Sequence, residues 1–174
     1  MKFKYKVLFI ITPLIFLLDQ LTKSLVINYI PFHGSIPVIP GYFDLVFIRN
    51  AGAAFGMFAQ MDDGVRQFFF HIVAVVAVVV LAFFFARLSK EERLLPIAIS
   101  LVFGGIAGNI LDRIRFGAVT DFLSAHVRDV AIDWSVFGMR LHLPLNWPAF
   151  NVADSAITIA MFLFIISAFR PQRR

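Results

Sequence analysis

Residues 67–86, QFFFHIVAVVAVVVLAFFFA, form an almost continuous apolar run that decides the fold. A helix rises about 1.5 Å per residue, so roughly 20 apolar residues cross the hydrocarbon core of a bilayer. Comparable runs occupy about 7–29, 94–114 and 148–169. The sequence therefore predicts an all-α membrane protein with four transmembrane helices.

The composition agrees with this prediction. Hydrophobic residues make up 60% of the 174-residue chain, and the mean hydropathy of +0.84 is high for a soluble domain. The length predicts one domain, residues 1–174. The chain has no cysteine, which excludes disulfides and thiolate chemistry.

Basic residues at the ends of the apolar runs indicate an orientation. The N-terminal MKFKYK could begin a cleaved signal peptide, but the run that follows is long. It also carries Asp19 and Lys23 where small residues should mark a cleavage site. We therefore expect a retained first helix, both termini in the cytoplasm, and extracytoplasmic loops at 30–66 and 115–147. Topology then accounts for the net charge of +5, and no nucleic-acid partner is expected.

Both outer loops contain patterns typical of strands. Residues 42–50, YFDLVFIRN, are rich in β-branched and aromatic side chains. In the second loop, apolar and polar residues alternate over 130–136 and 139–143, on either side of Phe137-Gly138. This period of two predicts an amphipathic hairpin, whose apolar face could rest on the lipid surface.

Polar residues gather near the predicted outer ends of three helices, although ionisable residues are rare in membrane helices. Helical spacing places the members of each group on one face. These residues are Asp19 and Lys23, then Asn109, Asp112 and Arg113, then Asn151 and Asp154, with Asp121 just beyond the third helix.

Most of these residues have a purely structural explanation. Asp19 and Lys23 could form an ion pair at the membrane surface. The adjacent Asp and Arg of the third helix could mark its end, and Asn151 could cap the fourth helix. Asp154 lies about 6–9 Å below the expected interface by helical rise. Since an intramembrane ionisable residue is a candidate for function, Asp154 requires another explanation.

Several catalytic chemistries receive weak support. A serine mechanism would need Ser155 to meet His126 or His142 in the fold. The histidines lack a metal-ligand spacing, so neither a metal nor another cofactor is predicted. The GGIAGN segment lies in a helix, where Gly104, Gly105 and Gly108 either allow close helix packing or make room for substrate.

Two aspartates offer a stronger chemistry. Asp121 follows the third helix and Asp154 begins the fourth, so both can meet at the outer membrane surface. Two adjacent carboxylates share one proton, because both cannot readily ionise. A water between them could attack an amide carbonyl while the acid donates its proton. Sharing a proton would also lower the cost of burying Asp154.

At these residues the sequence resembles the bacterial lipoprotein signal peptidase family, signal peptidase II. Five segments in order carry the resemblance: DQLTK (19–23), RNAGAAFG (49–56), GGIAGNILDRI (104–114), GAVTDFL (117–123) and PAFNVADSAI (148–157). The resemblance implies an aspartic endopeptidase that cuts prolipoproteins before a diacylglyceryl-modified cysteine.

The resemblance also implies residue roles. The catalytic pair matches Asp121 and Asp154, and Asp19 and Lys23 match a polar pair at the end of the first helix. The positions implied to shape the site or hold substrate are Asn50, Gly52, Gly108, Asn109, Asp112, Arg113 and Asn151.

The implied setting is the bacterial cytoplasmic membrane, with the site on the extracytoplasmic side. The implied partners are prolipoproteins, membrane lipids and globomycin-type inhibitors, and we expect a monomer. The 29 residues between Asp121 and Asn151 exceed the connection expected of the family. No family role is therefore carried over to 126–147.

Two other functions fit the same acidic residues. A proton-coupled transporter could use them as a relay, although acids at mid-membrane depth and an inverted repeat would then be expected. In a structural partner protein, the acids would simply pair with Arg113 and Lys23. Cleavage, transport and stability measurements distinguish the three hypotheses.

Overall fold

The computed structural model of the protein describes residues 2–52, 58, 61–136 and 139–169, with side chains described outside 128–146. Within these residues, three helices are long and apolar enough to cross a membrane. They are α1 (Phe3–Tyr29), α2 (Asp63–Arg87) and α3 (Leu94–Phe116). A shorter apolar helix, α4 (Val152–Ala168), has 17 residues. It begins four residues later than the predicted run at 148–169 because Asn151 provides its N-terminal cap.

Helix ends follow from local chemistry. Asp62 caps α2, since its Oδ1 accepts hydrogen bonds from the backbone N–H groups of Gly64 and Val65. Helix α3 ends at Gly117, whose φ of 70° is the left-handed conformation that glycine adopts without strain. This turn leads the chain directly into a strand that carries Asp121.

A four-stranded antiparallel sheet completes the fold, in the order β1-β2-β3-β4. Its second strand confirms the extended segment at 42–50. Its last two strands confirm the hairpin, although Phe137-Gly138 lies outside the described residues. The strands are β1 (Ser35–Ile39), β2 (Phe43–Asn50), β3 (Val119–Val136) and β4 (Met139–Asn146).

The β2–β3 register joins the two predicted outer segments. Ile48 pairs with Asp121 and Asn50 with Val119, so Asn50 is a diagonal neighbour of Asp121 on the same side of the sheet. A hydrophobic cluster of Val26, Ile30, Phe47 and Phe122 joins the C-terminal end of α1 to this strand pair. The sheet is thereby attached to the helices at the end where the polar residues lie.

Small residues allow α1, α3 and α4 to pack closely. A side chain at Gly104 would meet Ile15 of α1, and one at Gly105 would meet Ile157 and the Ala153 carbonyl of α4. In α4 the buried residues are Ala153, Ala156 and Ala160. The space beside these glycines is therefore filled by protein, which favours helix packing over room for substrate.

Helix α2 differs from the others. Its buried residues are Arg66 and Phe85, one near each end, and the apolar surface between them is largely exposed. An apolar helix that faces outward over most of its length is typical of contact with lipid.

Candidate active site

The two candidate catalytic aspartates line one cavity. Asp121 lies on β3 and Asp154 in the first turn of α4, and the cavity has a volume of about 610 Å³. Five other predicted site residues also lie in or beside it. Asn50, Gly52, Asn109 and Arg113 line it, while Asn151 is buried behind the two carboxylates. Segments far apart in the chain thus converge at one end of the helices.

Asp121 is held by two amide donors. Asn50 Nδ2 donates to its Oδ2 at 2.9 Å, and Asn151 Nδ2 donates to its Oδ1 at 2.8 Å. Burial, opposed by the Asn50 hydrogen bond and reinforced by the charge of Asp154, raises the pKa of Asp121 from 3.8 to about 7. A carboxyl group with such a pKa can hold or release a proton near neutral pH.

Asp154 is part of a capping box. Asn151 Oδ1 accepts from the Asp154 backbone N–H at 2.9 Å, and Asp154 Oδ2 accepts from the Asn151 N–H at 3.2 Å. The other carboxylate oxygen of Asp154 accepts from Asn109 Nδ2 at 2.8 Å. The carboxylate at the start of this apolar helix thus satisfies a backbone donor and still borders the cavity.

Two asparagines connect the aspartates. Asn151 Nδ2 lies 3.2 Å from Asn109 Oδ1, in addition to its bond with Asp121. A continuous chain of hydrogen bonds therefore runs from Asp121 through Asn151 and Asn109 to Asp154. Buried networks of this kind hold their members in a single arrangement.

The orientation of Asn50 is also determined. Its Oδ1 accepts from the backbone N–H of Gly52 at 3.1 Å, which directs Nδ2 toward Asp121. The predicted roles of Asn50 and Gly52 beside the cavity therefore have a geometric basis.

Asp112 supports the site without lining the cavity. Its buried carboxylate accepts from the Thr120 backbone N–H at 2.8 Å, immediately before Asp121. This bond ties the last turn of α3 to the start of β3. Asp112 thereby helps to determine where Asp121 lies.

Asp19 and Lys23 differ from the surface ion pair considered above. Asp19 is 0% exposed and Lys23 1% exposed, and their charged atoms are 2.8 Å apart. Asp19 Oδ1 also accepts from the backbone N–H of Ala153 in α4 at 3.0 Å. A side chain at Gly108 would collide with the Asp19 carboxyl group, so this glycine admits the pair between α1 and α3.

Arg113 borders the cavity beside the aspartates. Its guanidinium carbon lies 4.4 Å from the centre of the Phe70 ring of α2, and its Nε has no hydrogen-bond partner among the described residues. Stacking on an aromatic ring holds an arginine in place while leaving N–H donors available.

The alternative serine mechanism, in which Ser155 meets a histidine, is less well supported. Ser155 borders the cavity, but its hydroxyl donates to the Asn151 carbonyl at 2.9 Å. His126 lies on the sheet with its Nε2 3.9 Å from Asp44 Oδ2. The described contacts therefore give no serine–histidine pair at this cavity, and the side chain of His142 lies outside the described residues.

Sequence reasoning missed several contributors. Gln20 donates to Asp19, to the Gly108 carbonyl and, at 3.5 Å, to Asp112. Trp147 and Phe150 also line the cavity. Gln20 lies within the DQLTK segment and Phe150 within PAFNVADSAI, which were signals for these two residues, whereas Trp147 lies outside the five segments.

Comparison with solved structures defines the class of protein. Two bacterial membrane enzymes share the fold. One has a TM-score of 0.75 and 28% identity, covering 96% of this chain and 93% of its own. The other has a TM-score of 0.73 and 30% identity, covering 95% and 94%. The architecture is therefore that of a bacterial membrane enzyme.

Sequence comparison then gives the family. The family model for signal peptidase (SPase) II matches residues 11–170. A lipoprotein signal peptidase of Nitratidesulfovibrio vulgaris is 43% identical, over 98% of this chain and 95% of its own. One of Syntrophotalea carbinolica is 41% identical, over 96% and 93%. The chain belongs to the signal peptidase II family, which confirms the resemblance and makes it a peptidase.

Proposed function

We propose that this protein is an aspartic endopeptidase of the bacterial cytoplasmic membrane, acting on diacylglyceryl-modified prolipoproteins. It removes the signal peptide before the modified cysteine, with Asp121 and Asp154 as the catalytic dyad. Membership of the family and relatives named lipoprotein signal peptidase support the reaction. The observation that carries the assignment of residues is that the buried Asp121 carboxyl group and the half-buried Asp154 carboxyl group line one cavity.

The mechanism follows from one proton shared by the pair. The ionised carboxylate removes a proton from a water, whose oxygen attacks the scissile carbonyl carbon. The protonated carboxyl group donates to the carbonyl oxygen, giving a neutral tetrahedral intermediate. The carboxyl group that took the proton from water then transfers it to the amide nitrogen as the C–N bond breaks. The other carboxylate takes a proton from a hydroxyl group of the intermediate, so the dyad regains its one shared proton. The pKa of Asp121 near 7 supports a dyad that retains one proton at neutral pH.

The three amide side chains have distinct roles in this mechanism. Asn50 and Asn151 donate to Asp121, and Asn109 donates to Asp154. These bonds stabilise the ionised form of each carboxylate and aim it into the cavity. Arg113 lies close enough to interact electrostatically with both aspartates. It would offset negative charge that develops during the reaction.

The substrate enters from the membrane. Each buried methylene of a lipid anchor contributes about 0.8 kcal/mol, so a diacylglyceryl group stays in the bilayer during catalysis. The cavity continues from Asp154 along α4, where Ile157, Thr158 and Ile159 line it. An apolar wall below the carboxylates suits a lipid-modified peptide, and globomycin-type inhibitors would occupy the same cavity.

The proposed topology has four membrane spans, cytoplasmic termini and an extracytoplasmic site, in one domain that acts as a monomer. Helix α4, about 26 Å long by helical rise, supports a fourth span. The cysteine-free chain permits a direct test. Tyr42→Cys should react with a membrane-impermeant maleimide added outside spheroplasts, whereas Lys90→Cys should react only after permeabilisation. The reverse pattern would reject this orientation.

Two other functions are less well supported by these observations. A proton relay would place acidic groups across the membrane, whereas these residues gather at one end of the helices. A purely structural role would pair the aspartates with cations. Neither Asp121 nor Asp154 forms an ion pair within the described part of the chain.

A gel-shift assay of purified protein tests the proposal. Wild type should shorten a diacylglyceryl-modified precursor, and Asp121→Asn and Asp154→Asn should each lower turnover by about 10⁴-fold or more. Asp44→Asn is the matched control, because Asp44 is a buried aspartate of β2 outside the cavity lining. Near-normal turnover by either dyad variant would reject the dyad, and cleavage of unmodified precursor would reject the substrate class.

A further inference from the structure

Lys23 is a buried cation whose three neighbours use all its donors. Its Nζ lies 2.8 Å from Asp19 Oδ2, 3.3 Å from Asp112 Oδ2 and 2.9 Å from Asn109 Oδ1. An ammonium group has three N–H donors and no acceptor. These partners therefore leave it no donor for substrate, and its side chain is only 2% exposed.

The bond to Asn109 determines which way that amide faces. Because an ammonium can only donate, it requires the Asn109 oxygen, so Nδ2 must face the opposite side. There Nδ2 donates to Asp154 Oδ1 at 2.8 Å. Asn151 donates to the same Asn109 oxygen at the longer distance of 3.2 Å, which reinforces this orientation.

The charge of Lys23 also acts on the dyad. Among the described residues, the ionisable groups near the two carboxyl groups include Asp19 and Lys23 on α1 and Asp112 and Arg113 on α3. Lys23 neutralises part of the negative charge of Asp19 and Asp112. Its attraction for the Asp121 carboxylate opposes the effect of burial on the pKa of that group. Removing the cation would leave two more uncompensated negative charges near the dyad.

From these contacts we propose that Lys23 is a positioning residue of the active site, acting through Asn109 to hold Asp154 in its catalytic orientation. This inference rests on the function proposed above. It assigns to α1, which has no residue in the cavity lining, control over the geometry of the reacting groups. A displacement of about 1 Å at a catalytic group can cost about 100-fold in rate.

A double-mutant cycle tests the inference in the full-length protein. Lys23→Met, Asn109→Ala and the double variant are compared by kcat and KM on the diacylglyceryl-modified precursor. Each single variant should lower kcat by about 10- to 100-fold, with KM within about threefold of wild type. Asn109→Ala should cost less than about threefold when Lys23 is already replaced, because both changes remove the same positioning.

The pH profile provides a readout that a merely structural role would not move. Loss of the cation should shift the alkaline limb of kcat upward in pH, since the Asp121 carboxyl group then holds its proton more tightly. Lys90→Met is the matched control, because it removes one positive charge from an exposed residue in the connection between α2 and α3. This control should leave unchanged both kcat and the pH at which kcat falls on the alkaline side.

Each alternative outcome is decisive. Lys23→Gln, which keeps a donor but not the charge, is run alongside Lys23→Met, with melting temperature recorded for both. Three outcomes would overturn the positioning role. Both Lys23 variants could keep wild-type kcat, or both could fail to fold. In the third, the double variant of the cycle loses kcat by the product of the two single losses. Failure of the proposed function appears differently, as absence of cleavage by wild type or retained cleavage by Asp121→Asn.

Discussion

Asn151 Nδ2 lies 2.8 Å from Asp121 Oδ1, so the residue that caps α4 also holds the carboxylate of β3. The same residue closes the capping box with Asp154. One asparagine thus sets the position of both candidate catalytic groups. Helix capping and site geometry therefore cannot vary independently here.

Asp121 should make stability depend on pH. The pKa of Asp121 is raised from 3.8 to about 7, so between those values the folded protein holds a proton that the unfolded chain has lost. The contribution of this group to stability therefore falls as pH rises from about 4 to about 7. Asp121→Asn should remove that loss, on the order of 4 kcal/mol at most.

Thermal unfolding in detergent from pH 4 to 8 measures this effect. The melting temperature of Asp121→Asn should rise relative to wild type as pH increases. Thr158→Ala, a non-titrating change in the same cavity, should shift the melting temperature equally at every pH. A constant offset between Asp121→Asn and wild type would contradict the prediction.

Asn50→Ala should slow substrate cleavage because it removes a hydrogen bond to the Asp121 carboxylate. The variant removes the 2.9 Å hydrogen bond to Oδ2, which favours the ionised carboxylate. The pKa of Asp121 should therefore rise further, and the alkaline limb of activity should move to higher pH. We expect turnover to fall by about 10- to 100-fold. Kinetics across pH measure both effects.

Asn28→Ala is the control for this variant. Asn28 is an exposed asparagine near the C-terminal end of α1, bonded within its own helix to the Ser24 carbonyl. Its replacement should leave turnover and the alkaline limb of the activity–pH profile unchanged. An Asn50→Ala variant with a wild-type pH profile would mean that this amide does not stabilise the ionised Asp121.

Gly108→Ala should disturb the helix interface and the site together. The new methyl group would collide with the Asp19 carboxyl group, which holds Lys23 and the N-terminus of α4. Overpacking of this kind costs about 1–3 kcal/mol, and we expect cleavage to fall with stability. Unfolding in detergent and the gel-shift assay measure the two effects.

Gly64→Ala offers a matched glycine substitution. Position 64 lies in the first turn of α2, and its near neighbour is the side-chain oxygen of Asp62. Alanine there should be neutral or slightly stabilising. If Gly108→Ala behaves like Gly64→Ala, the close approach of α1 to α3 at Asp19 is not required.

Lys4→Met should affect stability without affecting catalysis. Lys4 Nζ donates to the carbonyl oxygens of Phe85, Ala86 and Leu88 at 3.0, 3.0 and 3.1 Å, which holds the end of α2. Leaving these acceptors without a donor should cost about 1–3 kcal/mol. Cleavage at low temperature should remain normal, because the residue lies at the opposite end of the helices from the cavity.

Melting temperatures measure this loss, with Lys6→Met as control, since Lys6 is exposed and has the same charge. Equal melting temperatures for the two variants would show that the contacts of Lys4 do not stabilise the fold. A loss of kcat in Lys4→Met at low temperature would instead indicate that the C-terminal end of α2 influences the site.

The sequence alone determined the helices, β2, the hairpin and the candidate groups. Long apolar runs predicted α1, α2 and α3 because only buried or lipid-facing helices tolerate them. Alternation of apolar and polar residues predicted β2 and the hairpin, because successive side chains of a strand face opposite sides. The acidic residues near helix ends were identified because ionising them in hydrocarbon is costly.

Only the tertiary structure decided how these groups are arranged. The β2–β3 register brings Asn50 to Asp121, and the trans-helix contacts of Lys23 bury a pair that resembles a surface ion pair in the sequence. Local patterns cannot encode such contacts, because they join residues more than 70 positions apart. Whether a carboxylate is solvated, paired or aimed into a cavity depends on those distant partners, and that environment determines its chemistry.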